Sequence, residues 1–256
     1  MKYKQDNYRV IQKDTLAKDV FSITINCPEI AEAAQPGQFV HILPPGHTLR
    51  RPISICGIDH EKGTLRIVFI VKGEGTKEIS KLNEGDCIDM LAPLGHGFSL
   101  NKNYKKIILI GGGIGNPPML PLAEKYGTNS IVISGFRNAE AVILQEDFIK
   151  TGAQTFLCTD DGTMGQKGFV TDILKSELEK EKADAIYACG PVPMLKSVSE
   201  IADKFGIYCE VSLEERMGCG IGACLVCACK VKKDGEEHFA HVCKNGPVFN
   251  SKEVIW

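Results

Sequence analysis

No run of apolar residues in this chain approaches the roughly 20 needed to cross a bilayer as a helix. The opening segment, Met1-Lys2-Tyr3-Lys4-Gln5-Asp6, lacks the apolar core of a secretory signal. Charge of one sign is missing too: 30 Lys and Arg stand against 32 Asp and Glu, a formal net charge of −2. Nothing in that balance draws the chain to nucleic acid or to an anionic membrane. There is no internal repeat or low-complexity tract, and no paired carboxylates, nucleophile triad or metal–water motif that would suggest hydrolysis. These absences lead us to expect a cytoplasmic protein with neither nucleic acid nor membrane as partner. The hydrophobic share of 43% and charged share of 24% are those of an ordinary globular chain. Its 256 residues suffice for one large domain, or for two modest ones and a small module.

Cysteine, by contrast, is abundant. Eleven is a high count for a chain expected in a reducing compartment, where structural disulfides are disfavoured. Cys27, Cys56, Cys87, Cys158, Cys189 and Cys209 are scattered singly and read as small buried hydrophobes. The other five crowd together. Cys219, Cys224 and Cys227 give C-x4-C-x2-C, and Cys243 follows at a distance, which is the plant-type [2Fe–2S] spacing. Such a loop must wrap two irons with its amides aimed at sulfur. Gly218, Gly220 and Gly222 suit that task because glycine tolerates positive φ and lets backbone come close. A structural zinc site usually pairs two C-x2-C knuckles, and only one is present. Cys229 competes for the third position, but only Cys227 gives the two-residue interval, so Cys229 reads as a free thiol. A cluster of this kind passes one electron at a time and needs a redox partner on each side.

The remaining chain divides by its periodicity into an α+β multidomain arrangement. Residues 1–100 hold short strands between turns: 20–26 (VFSITIN), 38–43, 64–72 (TLRIVFIVK) and 87–91, spaced as in a small antiparallel barrel. Residues 95–106 read as a loop or linker. Residues 101–210 alternate strands (107–110, 130–135, 153–158, 185–189) with helices (117–126, 139–151, 170–181, 192–204), the pattern of a mostly parallel sheet in an α/β domain. Residues 211–256 form a third, small unit rich in glycine and cysteine, with a hairpin expected around Lys233-Asp234-Gly235.

Two further kinds of signal concern anionic ligands. In Arg50-Arg51-Pro52-Ile53-Ser54 an arginine and a serine lie near one end of a strand, where a guanidinium can clamp a pyrophosphate while a hydroxyl meets a ring edge. Lys72-Gly73-Glu74-Gly75-Thr76 precedes a short helix expected over 77–82, whose N-terminal amides can face phosphate. Gly111, Gly112, Gly113 and Gly115 end a buried strand and open onto a helix, the context that makes a glycine-rich loop a nucleotide site. Pro117 and Pro118 replace the strict G-x-G-x-x-G pattern but are tolerated in a helix's first turn. Cys189, Gly190 and Pro191 follow the last strand at the same sheet edge. There Cys189 reads equally as a core thiol or as part of a site. Arg137 could meet a 2′-phosphate or lie on the surface, and Asp160-Asp161-Gly162 could lie near the adenosine ribose or simply form a turn, the preferred reading.

In this order, Arg51-Pro52-Ile53-Ser54, Gly75-Thr76, Gly111 to Gly115 and Cys189-Gly190-Pro191 resemble the ferredoxin–NADP reductase superfamily. With Glu214 to Cys227 and the tail Cys243-Lys244-Asn245-Gly246-Pro247-Val248-Phe249 added, the whole chain resembles the electron-transfer subunits of type B dihydroorotate dehydrogenases. The resemblance implies an FAD barrel, an NAD-binding domain and a [2Fe–2S] domain. It places FAD contacts at Arg51, Pro52, Ile53 and Ser54, at Val68, Phe69 and Ile70, and at Gly75 and Thr76. It further implies an FMN-containing catalytic subunit that oxidises dihydroorotate in pyrimidine synthesis, two copies of each subunit forming a heterotetramer. Ile53 departs from the superfamily, where many members carry an aromatic that stacks on the flavin. Two other readings stand beside this one: a related subunit serving a sulfite reductase, hydrogenase or ferredoxin-dependent complex, and a zinc-stabilised binding module without turnover.

Overall fold

Alternation of apolar and polar side chains builds the first lobe of the computed structural model, which describes residues 3–256 and so leaves Met1 and Lys2 of the opening segment outside it. Six strands, β1 (Lys4–Ala17), β2 (Val20–Asn26), β3 (Phe39–Leu43), β4 (Arg51–Asp59), β5 (Thr64–Ile70) and β6 (Cys87–Leu94), close into an antiparallel barrel in the order β1-β2-β5-β4-β3-β6. Ile23, Ile25, Val40, Ile42, Ile55, Leu65, Ile67 and Met90 fill it with no exposed surface. Closure leaves no free edge. The sequence gives little sign of β1, because most of its side chains face solvent and it is held by backbone pairing to β2 and β6. Helices α1 (Pro28–Ala33) and α2 (Glu74–Ile79) flank the barrel. The second begins three residues ahead of the expected start, because the Thr76 hydroxyl accepts the amides of Lys72 and Gly73 and stabilises the earlier turn.

Residues 95–106 are irregular, as expected, and lead into the second lobe. Its elements are β7 (Ile107–Gly112), α3 (Leu120–Tyr126), β8 (Ser130–Phe136), α4 (Gln145–Lys150), β9 (Gln154–Thr159), β10 (Gln166–Lys167), α5 (Val170–Lys180), β11 (Ala185–Cys189), α6 (Val192–Lys204) and β12 (Tyr208–Ser212). The helix expected over 139–151 is broken: a 3-10 turn at Ala139–Ala141 is followed by Leu144 at φ +63°, and only then does α4 begin. Pro117 and Pro118 form a 3-10 turn that runs into α3.

The C-terminal segment adds a hairpin of β13 (Ala228–Lys233) and β14 (Glu236–His241), then α7 (Val242–Asn245) and β15 (Val248–Asn250). Asp234 and Gly235 both take positive φ at the hairpin turn, the conformation a two-residue connection demands. Strand β15 pairs antiparallel with β12, setting Ser212 against Val248 and Glu210 against Asn250. The second sheet therefore reads β10-β9-β8-β7-β11-β12-β15, parallel except at that last pair. Neither β12 nor β15 was expected in this sheet. The lobes are joined by apolar packing of Val20, Cys56 and Val68 with Met119, Leu120 and Tyr126. An ion pair from Arg66 of β5 to Asp147 of α4 (2.6 Å) adds a polar link. Among the described residues no helix is long and apolar enough to cross a membrane.

Candidate functional site

The cysteine loop leaves β12 and wraps back on itself through Gly220 (φ +74°), Gly222 (φ +83°) and Leu225 (φ +61°). Those turns aim backbone amides at sulfur. Ile221 (3.4 Å), Ala223 (3.3 Å) and Cys224 (3.3 Å) donate to the Cys219 Sγ, and Cys219 N donates to the Cys224 Sγ (3.4 Å). Gly222 N reaches the Cys243 Sγ (3.1 Å), and Cys243 N reaches the Cys227 Sγ (3.4 Å). Cys243 rides on α7, which is fixed to the loop by a bond from Val242 N to the Cys227 carbonyl (2.9 Å). The Cys227 and Cys243 sulfurs stand 3.2 Å apart. Among the described residues, no three His, Cys, Asp or Glu side chains gather about one ion-sized point. The loop instead offers sulfurs in two linked pairs.

Electrostatics differ between the pairs. Burial works to raise the Cys219 thiol, yet the amides of Ile221, Cys224 and Ala223 and the Cys224 side chain outweigh it and bring Cys219 down to about 6. Cys243 is pushed up to about 12, first by burial and then by the Cys227 sulfur beside it. Two sulfurs this close cannot both be anionic without a compensating cation. The donor set therefore fits a thiolate-ligated iron centre. Cys229 packs against the apolar core and is raised to about 11, chiefly by burial.

Next to this loop, between all three units, lies a cavity of about 190 Å³. Pro52, Ile53 and Ser54, Val68, Phe69 and Ile70, and Thr76 line its barrel side. Arg51 and Gly75 meet next to the lining residues Pro52 and Thr76: a Cβ on Gly75 would stand 2.5 Å from the Arg51 Nε, so a larger residue there would push the guanidinium aside. Arg51 donates to the carbonyls of Leu49 (2.7 Å) and Arg50 (3.3 Å) and, among the described residues, to no carboxylate. Its charge is left for an anion, which fits a pyrophosphate-bearing cofactor. The opposite wall was not foreseen: Ile114 from the glycine loop, Ser212 to Glu215 and Met217 after β12, and Pro247. Phe39 and Phe69 bring aromatic rings to the wall, whereas Ile53 brings none.

A second cavity, of about 520 Å³, opens at the C-terminal ends of β7, β8, β9 and β11. Gly112, Gly113 and Pro191 line it, together with Arg137 and Asp160. The two loops that frame it are interlocked. Gly111 and Cys189 are register partners, and a Cβ on Gly115 would fall 2.2 Å from the Cys189 carbonyl oxygen. Gly190, at φ +154°, turns the second loop. Cys189 itself is buried in the core, raised to about 12 by burial and then by the Glu214 charge. Asp160-Asp161-Gly162 does form a turn, with Gly162 N bonded to the Thr159 carbonyl. The glycine loop thus stands between the cavities, Gly112 and Gly113 facing one and Ile114 the other.

One residue that sequence reasoning missed is His41 of β3, wholly buried where the barrel meets the cysteine loop. Burial, helped by the Arg50 charge, pushes its imidazole down to about 4 against the pull of the Cys219 and Arg50 carbonyls. A lone histidine in a strand carries no signal that would have singled it out.

Residues 214–255 match the model of the iron-sulfur cluster binding domain of dihydroorotate dehydrogenase B. Over nearly its full length the chain is 39% identical to the dihydroorotate dehydrogenase B (NAD(+)) electron transfer subunit of Bacillus mycoides, covering 98% of this chain and 99% of that one. The subunit of the same name from Geobacillus thermodenitrificans is also 39% identical, covering 98% of each. Among solved structures, an NADH-dependent reduced ferredoxin-NADP oxidoreductase described in relation to flavin-based electron bifurcation superposes with a TM-score of 0.87 at 32% identity, covering 99% of this chain and 91% of that one. The ferredoxin reductase of a carbazole 1,9a-dioxygenase shares the fold alone, with a TM-score of 0.69 at 18% identity over 81% of this chain and 67% of that one. Built of a barrel, a parallel sheet and a cysteine module, the chain belongs to the family of dihydroorotate dehydrogenase B (NAD(+)) electron transfer subunits.

Proposed function

We propose that this chain carries electrons from the FMN of a catalytic subunit, which oxidises dihydroorotate to orotate, to NAD⁺. In this reading it works in the cytoplasm, in a heterotetramer of two copies of each subunit. The observation that carries the proposal is the continuity of the two cavities with the cysteine loop. The wall of the smaller cavity runs from Pro52 and Ser54 on the barrel to Met217, two residues before Cys219, while Ile114 links it to the glycine loop of the larger one. When bound, a [2Fe–2S] cluster would supply one-electron transfer, and FAD would supply the pairing of two such electrons with a proton for hydride transfer to NAD⁺.

The chain's own part is to hold and orient. Cys219, Cys224, Cys227 and Cys243 bind the cluster, with amides of the loop tempering its charge. Arg51 and the Gly75-Thr76 helix start clamp the FAD pyrophosphate, while Pro52 to Ser54 and Val68 to Ile70 flank its ring. Gly111, Gly112, Gly113 and Gly115, with Cys189, Gly190 and Pro191, frame the site for NAD. In this reading residues 1–100 form the FAD unit, 101–210 the NAD unit and 211–256 the cluster unit. Exposed Ile221, Leu225 and Val226 on the cysteine loop give the catalytic subunit an apolar surface beside the cluster.

Co-expression with a candidate catalytic subunit should give a complex that reduces NAD⁺ when supplied with dihydroorotate. A complex that forms but moves electrons only to ferredoxin would favour the second reading, which the 0.87 superposition on a ferredoxin-NADP oxidoreductase supports.

A further inference from the structure

Strand β3 turns alternate side chains to opposite faces. Val40 and Ile42 point into the barrel, whereas Phe39 joins Leu91 in the apolar cluster that also holds Cys227 and Cys243. His41 shares the outward face with Phe39, edge-on to its ring at 6.5 Å. Its cross-strand neighbours are Pro52, in the wall of the smaller cavity, and Leu91. The C-terminal module covers this face so fully that His41 has no exposed surface.

Burying an imidazole is costly unless its nitrogens find partners. Neither Nδ1 nor Nε2 completes a hydrogen bond, although the Cys219–Gly220 turn presses against the ring. The loop accommodates the ring closely: a Cβ on Gly220 would stand 2.5 Å from the Nδ1. Gly220 is held at φ +74°, so both its conformation and its missing side chain serve this approach. A leucine would fill the same space without an unsatisfied donor. The polar ring therefore has a purpose that packing does not supply.

We propose that His41 is a positioning residue for the cysteine loop. Its ring N–H closes onto the Cys219 carbonyl when the loop holds its cluster, fixing the Cys219–Gly220 peptide. That peptide sets the direction of the Ile221, Ala223 and Cys224 amides, which converge on the Cys219 sulfur. A barrel strand bordering the flavin cavity thereby holds the loop at its first ligand. The inference rests on the ligand set proposed above.

His41→Gln and His41→Met test it, being close in volume to histidine and differing in whether a donor remains. Both are compared with the parent chain, in complex with its catalytic subunit, by iron release to a ferrous chelator and by the EPR spectrum of the reduced cluster. Loss of one hydrogen bond should make His41→Met release iron about tenfold faster and alter its EPR spectrum. His41→Gln should stay close to the parent in both, and both variants should keep their FAD. If His41→Met matches the parent, or if the two variants are equally altered, the positioning role is overturned. A parent chain without any cluster overturns the ligand reading instead. Should His41→Met fail to accumulate, hydrogen exchange of the 219–224 amides in His41→Gln decides: protection equal to the parent supports the role, and its loss overturns it.

Discussion

The cysteine loop and the smaller cavity are neighbours built in opposite ways. The loop draws three of its four sulfurs from one short stretch and relies on backbone, since the amides of residues 221 to 224 all point at sulfur. The cavity relies on side chains from three units, with Pro52 to Ser54 on one wall and Ser212 to Met217 on the other. A site made by backbone depends on whatever holds the loop's conformation. A site made by assembly depends on every lobe keeping its place.

The sharpest break of this comparison is Cys227→Ser, which should abolish the visible absorbance of the cluster while FAD content is retained. Cys229→Ser should leave the cluster spectrum unchanged, and the reverse result would exchange their roles. Next comes Arg51→Ala, which removes a charge that bonds only backbone carbonyls among the described residues. It should weaken FAD binding about 10- to 100-fold, in keeping with a lost charge-assisted hydrogen bond, read by flavin fluorescence on dilution. The cluster should survive that change, so a simultaneous loss of both cofactors would show that the two sites are not separable. A smaller effect is expected where the lobes are pinned together. Breaking the half-buried Arg66–Asp147 pair by Asp147→Asn should cost about 1 kcal/mol, measured in thermal unfolding, and should loosen FAD more than the cluster.

The smallest effect concerns Asp184, which accepts the amides of Lys105 (2.7 Å) and Lys106 (3.0 Å) just ahead of β7. Those amides hold its carboxyl below the usual carboxylate range. A depressed folded-state pKa stabilises above the unfolded value and is lost as pH falls through the folded one. Asp184→Asn should therefore lower stability near neutral pH, and its difference from the parent should vanish in strong acid. Neither cofactor site should respond.

What could be read in the sequence follows the same division. The cysteine spacing is local, and so are the runs 20–26, 107–110 and 185–189, whose apolar residues mark buried strands before any tertiary contact is known. Strand β1 escaped notice because its side chains are mostly exposed and it is held by backbone pairing. The barrel half of the cavity emerged through resemblance, since Arg-Pro-x-Ser alone is also an ordinary turn. The far wall could not be found, because nothing in Ser212 to Met217 announces that β12 and β15 will carry it to the barrel. His41 is invisible for a similar reason: the Gly220 turn that packs against its ring lies in a distant segment.

The short path from Met217 to Cys219 has a mechanical consequence. Met217 lines the cavity beside the barrel, and the first sulfur follows two residues later on the same unbroken chain. The spacing between this wall of the cavity and the first sulfur is thus gauged by covalent bonds, which hardly stretch. Any shift of one lobe against the other would leave that two-residue spacing unchanged.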